Sequence, residues 1–278
     1  MNASSILHPA GPIAAANREI LINALAVMLS IVIPTILLAI ATAWWFRAGN
    51  RRARRDEAFV YSGRIELVVW SIPLLTILFL SGIIWVGSHR LDPTRPIKAP
   101  NGEPPLQVEV VSLDWRWLFI YPEQGIATVN GLVLPVGRPV RFRLTSASVM
   151  NAFFVPRLGS MVYTMNGMAT ELNLLASVPG RYQGLSAHYS GEGFPDMRFE
   201  AVAVPPARFS IWAARIGSRE GLPLDARTYA VIARQRRDRR AFAFPAVQPG
   251  LFDAIVTQRI GPSAGPRQDR SSTDAENS

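Results

Sequence analysis

The sequence predicts an α+β membrane protein: a two-helix transmembrane hairpin at the N-terminus, then a β-rich domain outside the cytoplasm, then short helices. Three observations predict it. Two apolar runs of spanning length open the chain, a cluster of arginines separates them, and beyond residue 106 the pattern changes to period-two alternation.

The first run, Ile20 to Phe46, has Asn23, Ser30, Thr35 and Thr42 as its only polar side chains. At ~1.5 Å per residue it reaches ~40 Å against a hydrocarbon core of ~30 Å, so a tilted helix is expected. Pro34 lies within it and predicts a kink. The second run, Ile65 to Val86, also has spanning length and holds Pro73. Together these give a hairpin over residues 19–90.

Between the runs lie Arg47, Arg51, Arg52, Arg54, Arg55 and Arg64 against Asp56 and Glu57, while the N-terminal flank offers only Arg18. Positive charge concentrates on the cytoplasmic side, so both termini are expected outside. Trp44, Trp45 and Trp85 fit interfacial belts. Residues 1–18 read as a short outer segment without the apolar core of a signal peptide. His8 there, and His89 after the second run, need no special role.

The charge balance bears on partners. Net charge is +9, with 29 lysines and arginines in 278 residues, which could suit nucleic acid. Its placement argues otherwise: one cluster separates the apolar runs. The other, Arg234, Arg236, Arg237, Arg239 and Arg240, reads as a solvated or partner-facing helix end. There is no cysteine, which excludes disulfides, zinc ribbons, iron–sulfur clusters and a thiol nucleophile.

Residues 91–105 form a proline-rich linker. In the β-domain, residues 106–206, Leu106, Val108 and Val110 alternate with Gln107, Glu109 and Val111. Val140, Phe142 and Leu144 alternate with Arg141 and Arg143, and Thr170, Leu172 and Leu174 follow the same rule. Gly and Pro turns between such runs predict an antiparallel sandwich or barrel. In the extension, residues 207–260, Phe209, Trp212, Ala213 and Ile216 have helical spacing with Gly217 as a C-cap. Asp225 caps a second helix through Ala233, and Leu251, Phe252, Ile255 and Val256 suggest a third. Residues 261–278 contain no large apolar residue and are expected to be disordered.

Four stretches carry a family likeness: IELVVWSIP (65–73), VEVVSLDWRWLFIYPEQGIATVN (108–130), TSASVMNAFFVPRLGS (145–160) and SAHYSGEGFPDMRFEA (186–201). They resemble subunit II of bacterial bo-type ubiquinol oxidases, the quinol branch of the cytochrome c oxidase subunit II family. The resemblance runs from about Ile20 to Val204 and more loosely through the helices beyond. It implies a cupredoxin-like antiparallel β-barrel in the periplasm, on a hairpin in the bacterial inner membrane.

In the wider family that barrel binds a two-copper centre through two bridging thiolates, two imidazoles, a thioether and a carbonyl, soft and borderline ligands that suit copper. Laid on that pattern, the imidazole positions fall on Asn151 and Phe194 and the thiolate positions on Ser186 and Ser190. The carbonyl position falls on His188 and the thioether on Met197. The resemblance therefore implies the branch without this centre. No metal or cofactor is expected in this chain; haems and copper are expected in a large subunit I, with ubiquinol as the substrate of the complex. Small membrane subunits and lipid complete the expected partners, without nucleic acid.

Three readings stay open. His188 and Met197, with Glu192 and Asp196, could form a mononuclear metal site, or be one exposed loop histidine and a packing thioether. Glu66 could be an interfacial carboxylate pairing with Arg64. The resemblance instead places it at the entrance of a proton-uptake pathway, seven residues before the second-span proline. Trp115 and Trp117 are expected to pack and dock against the large subunit, with Asp114 and Arg116 facing polar partner surface. The expected function is a structural and proton-uptake subunit of a proton-translocating ubiquinol oxidase; the alternative is a non-catalytic, membrane-tethered cupredoxin-like assembly or scaffold protein.

Overall fold

A computed structural model describes residues 6–53, 60–99, 102–234 and 240–265. The chain divides into two units, Ala16–Asp92 and the combination of Met1–Ala15 with Pro93–Ser278.

The first unit is the hairpin. Helix α1 spans Pro12–Trp45 and α2 spans Gly63–Arg90. Leu21, Leu25, Ile33 and Leu37 on α1, and Leu75, Leu78, Phe79 and Trp85 on α2, are all exposed. Apolar side chains on every face of a long helix require an apolar solvent, which makes this a membrane-anchored protein. The few hydroxyls are satisfied internally: Ser30, Thr35, Thr42 and Thr76 donate to the carbonyls of Val27, Ile31, Leu38 and Ile72 at 2.7 Å. Arg54, Arg55, Asp56 and Glu57 lie outside the described residues.

The second unit is a two-sheet sandwich. One sheet contains β1 (Leu106–Leu113), β2 (Arg116–Tyr121), β3 (Ile126–Val129), β5 (Val140–Ser146), β8 (Thr170–Leu174) and β11 (Phe242–Phe244), in the order β11-β3-β2-β1-β5-β8. The other contains β4 (Gly131–Pro135), β6 (Asn151–Phe154), β7 (Val162–Thr164), β9 (Gly180–Ser186) and β10 (Arg198–Val204), in the order β4-β10-β9-β6-β7. Pairing is antiparallel except between β1 and β5 and between β4 and β10, where the strands run parallel. Those two pairings depart from the antiparallel pattern expected, because alternation reports which face is buried and not strand direction.

The alternating residues behave as their period demands. Leu106, Val108, Val110, Val140, Phe142 and Leu144 point into one core with Phe153, Tyr182 and Phe199 of the opposite sheet. Its centre is aromatic: the Phe153 and Phe199 rings stack at 5.2 Å, and Trp117 meets each edge-on. The outer face of the first sheet is buried too. Val111, Leu113, Leu118 and Ile120 pack under Leu224, Tyr229, Ile232, Leu251 and Phe252 of the C-terminal extension. Strand β2 is consequently buried along its whole length, and beyond Arg116 its sequence WLFIY is apolar on both faces.

The extension holds α3 (Pro206–Gly217), α4 (Ala226–Ile232) and α5 (Leu251–Val256). The Asp225 carboxylate caps α4 by accepting from the Thr228 N–H at 2.8 Å. Gly217 is the last helical residue of α3, and Ser218 takes the C-cap in an ordinary right-handed conformation. The extension is also more than helices, since β11 extends the first sheet beside β3.

The N-terminal segment, read from the sequence only as a short outer segment, is bound to the sandwich. The Ala10 N–H donates to the Arg157 carbonyl and the Ser177 N–H to the Ala10 carbonyl, each at 2.8 Å. The Arg157 guanidinium donates to the His8 carbonyl at 2.9 Å. Glycine is required next: a Cβ on Gly11 would lie 2.3 Å from the Leu175 carbonyl oxygen. The linker is pinned as well, by Asn173, whose backbone and side chain hold the carbonyls of Pro93 and Thr94.

Candidate functional site

The site sits at one end of the sandwich, where the β1–β2 turn meets the loops around β6, β7 and β9. The turn is the DWRW motif. Trp115 adopts a left-handed conformation, φ 67°, at a cost of roughly 1–2 kcal/mol for a residue with a side chain. What offsets it is visible: the indole N–H donates to the Ser190 carbonyl at 2.9 Å. The ring also lies where a Cβ on Gly193 would be, 2.0 Å from Cδ2, so only glycine fits there.

Both tryptophans are buried, Trp115 at 4% and Trp117 at 0% exposure, which removes them from any docking surface. They are core residues. Asp114 and Arg116 are buried equally and do not face a partner. The Arg116 guanidinium donates to the carbonyls of Ile232 and Arg234, tying the end of α4 to the sandwich. Asp114 accepts from the Ser148 hydroxyl at 2.5 Å. Burial pushes its carboxyl up, while hydrogen bonds from Ser148 and Ser263 pull it down. Ser263 is part of the tail expected to be disordered, yet its N–H also donates to the Ala147 carbonyl at 2.9 Å. Within the basic run, Arg236, Arg237 and Arg239 lie outside the described residues, as do residues 266–278.

The six copper-pattern positions come together at this end. Ser186 closes β9 and Asn151 opens β6; the Ser186 Oγ lies 3.2 Å from Asn151 Oδ1 and 3.2 Å from the His188 carbonyl oxygen. The Ser186 N–H donates to the Met197 carbonyl at 3.0 Å. Ser190 is buried under Trp115, and its own Oγ has no hydrogen-bond partner among the described residues. Met197 is fully buried in the core.

This donor set does not fit a thiolate-bridged copper centre. Hydroxyl and amide oxygens are hard, neutral donors, and the Ser186 and Asn151 oxygens already face each other. Phe194 offers no donor and packs near Tyr189, ring centroids 5.9 Å apart. His188 is half-buried rather than fully exposed, with its ring edge-on to Tyr163 at 5.9 Å. Among the described residues no group of three or more His, Asp or Glu side chains converges around His188 and Met197. Around the site Val149, Met150, Tyr163, Met168 and Tyr189 expose apolar surface.

Glu66 belongs to the hairpin. It lies exposed in the first turn of α2, and its backbone N–H donates to the Ser62 carbonyl at 3.0 Å. Arg64 is two residues away and therefore on a different side of the helix. Among the described residues no ion pair joins the two.

Sequence reasoning missed the buried roles of Asp114 and Arg116 and the docking of residues 8–14. An Asp–Trp turn between two apolar strands is a signal for a hairpin, but nothing local marks what covers it.

A hairpin of membrane-spanning helices carrying a mixed β-sandwich, with copper-domain loop positions filled by other residues, defines a membrane-anchored oxidase subunit of the subunit II class. No protein-family model matches the chain. It is 46% identical over 253 residues to ubiquinol oxidase subunit 2 of Acetobacter aceti, covering 91% of this chain and 82% of that one. It is 42% identical to cytochrome bo(3) ubiquinol oxidase subunit 2 of Pseudomonas aeruginosa, covering 91% and 76%. The chain belongs to the ubiquinol oxidase subunit 2 family. Among solved structures, the periplasmic domain of cytochrome oxidase subunit II of Bradyrhizobium japonicum aligns with TM-score 0.39 and 22% identity, over 41% of this chain and 94% of that one.

Proposed function

We propose that this chain is the anchoring and proton-uptake subunit of a proton-translocating terminal oxidase that takes electrons from ubiquinol and reduces oxygen to water. The observation that carries the proposal is the Ser186–Asn151 contact at the former copper positions. With no cysteine in the chain, the β-domain has no thiolate to hold the electron-accepting copper pair, so electrons reach the complex elsewhere. Haems and the oxygen-reducing copper belong to a large subunit I, and small membrane subunits complete the complex.

In this reading each part of the chain has its own task. The apolar rim of Val149, Met150, Tyr163, Met168 and Tyr189 meets subunit I, since charge-poor aromatic and methionine surface is typical of interface cores. The Glu66 carboxylate, carried by a membrane helix without an ion partner among the described residues, exchanges protons at the mouth of an uptake path. A carboxylate at that depth is costly unless it is used. Cytoplasmic placement of the Arg-rich loop puts Glu66 on the proton-supplying side and the β-domain in the periplasm. In support, His8 and Ala10 are hydrogen-bonded to the sandwich, so the segment before α1 and the β-domain share one side, as two crossings require.

Affinity purification from membranes tests this reading. A complex with haem absorption and ubiquinol-dependent oxygen uptake supports it; a chain that purifies alone, without haem, supports a tethered scaffold instead.

A further inference from the structure

A groove of about 610 Å³ lies within the hairpin, between the start of α1 and the last turns of α2. On α2 its wall is one face of the helix, with Phe79, Gly82, Val86 and Arg90 at spacings of three and four. The two glycines play different parts. A Cβ on Gly87 would lie 2.7 Å from Ile20 Cδ1, so Gly87 is where the helices approach. A Cβ on Gly82 would meet nothing within 4 Å, so Gly82 keeps the groove open.

The charge is as organised as the shape. Glu19 near the start of α1 and Arg90 at the end of α2 are the charged residues of the lining, and both are exposed. Among the described residues no ion pair joins them. The remaining wall is apolar, from Leu78 to Leu91, which at ~1.5 Å per residue is about 20 Å, on the order of one leaflet's hydrocarbon depth. A slot of that depth, apolar below and carrying one carboxylate and one guanidinium at its mouth, matches a molecule with an alkyl chain and a head of both charges.

We propose that this groove binds a zwitterionic phospholipid, one acyl chain in the slot, its phosphate at Arg90 and its ammonium at Glu19. Guanidinium pairs with phosphate oxygens bidentately, and a carboxylate accepts from an ammonium. The carboxylate also disfavours a lipid that is anionic overall, so the pair selects phosphatidylethanolamine over phosphatidylglycerol. The site rests on the reading of α1 and α2 as membrane spans.

The test is native mass spectrometry of the intact complex, purified in mild detergent from membranes containing both lipids. The wild-type complex retains phosphatidylethanolamine. Arg90→Gln lowers that retention roughly fivefold, the loss of one cationic phosphate contact. Gly82→Leu fills the slot and lowers it similarly. Glu19→Gln shifts the retained lipid toward phosphatidylglycerol.

Unchanged retention in both Gly82→Leu and Arg90→Gln overturns the proposal. So does release of quinone rather than phospholipid by Gly82→Leu. Arg90 and Glu19 are exposed, so their variants still decide the matter if Gly82→Leu impairs assembly. Membrane integration and ubiquinol turnover of the same preparations report separately on the underlying assignment.

Discussion

The Oγ of Ser186 lies 3.2 Å from Oδ1 of Asn151 and joins the end of β9 to the start of β6. Both side chains are buried, so the Asn151 amide oxygen relies on the Ser186 hydroxyl for a donor that water cannot supply. Removing the hydroxyl in Ser186→Ala leaves a buried amide oxygen short of a donor and lowers unfolding free energy by about 1–3 kcal/mol. Chemical denaturation of the detergent-solubilised chain measures it; an unchanged midpoint contradicts the linkage.

Arg116 is the tie between the sandwich and the extension, through the carbonyls of Ile232 and Arg234. Arg116→Met keeps the bulk and removes the donors, at a cost of about 1.5–3 kcal/mol per hydrogen bond from a charged group. The end of α4 should then loosen, and trypsin should cleave at Arg234 at least tenfold faster. An unaltered cleavage rate would show that apolar packing and the β11 pairing hold the extension without these hydrogen bonds.

The hairpin and the inward strand faces are legible because their signals are local. Span length, the Arg cluster, and the alternation of Val140, Phe142 and Leu144 each follow from neighbouring residues. The DWRW turn is not legible in that way. Asp114 and Arg116 look like surface residues until the chain returns more than a hundred residues later to cover them, and Trp117 looks available for docking until the second sheet closes over it. The binding of Ala10 and Gly11 is invisible for the same reason, since Arg157 and Leu175 are distant in sequence. At the copper positions residue identity speaks clearly, because a missing thiolate needs no geometry to be noticed.

Stability of the β-domain should depend on pH through Glu109. Burial pushes its carboxyl up to about 7; the Arg143 guanidinium at 3.2 Å pulls it down, and Asp253, held by the same guanidinium at 3.0 Å, pushes it up again. Between the ordinary value of 4.5 and about 7 the folded domain holds a proton that the unfolded chain has released. The unfolded state binds fewer protons there, so stability falls as pH rises, by at most about 1.4 kcal/mol per pH unit. Denaturation midpoints across that window should decline in the wild-type protein and flatten in Glu109→Gln. A midpoint that climbs with pH would reverse the assignment.

Glu66→Gln should slow ubiquinol turnover of the assembled complex and leave its haem content and subunit composition unchanged. Glu66→Asp, which keeps the ionisable group, should recover part of the rate. Oxygen uptake by the purified variants reads this out; equal turnover in Glu66→Gln would exclude a proton-uptake role for this residue.

Oxygen uptake by the purified complex, driven in parallel by ubiquinol and by reduced cytochrome c, separates the two branches of the family directly. A β-domain whose copper positions hold Asn151, Ser186, Ser190 and Phe194 predicts uptake with ubiquinol and none above background with cytochrome c. Comparable turnover with cytochrome c would contradict it, because electrons would then be passing through a domain that has no thiolate to hold their acceptor.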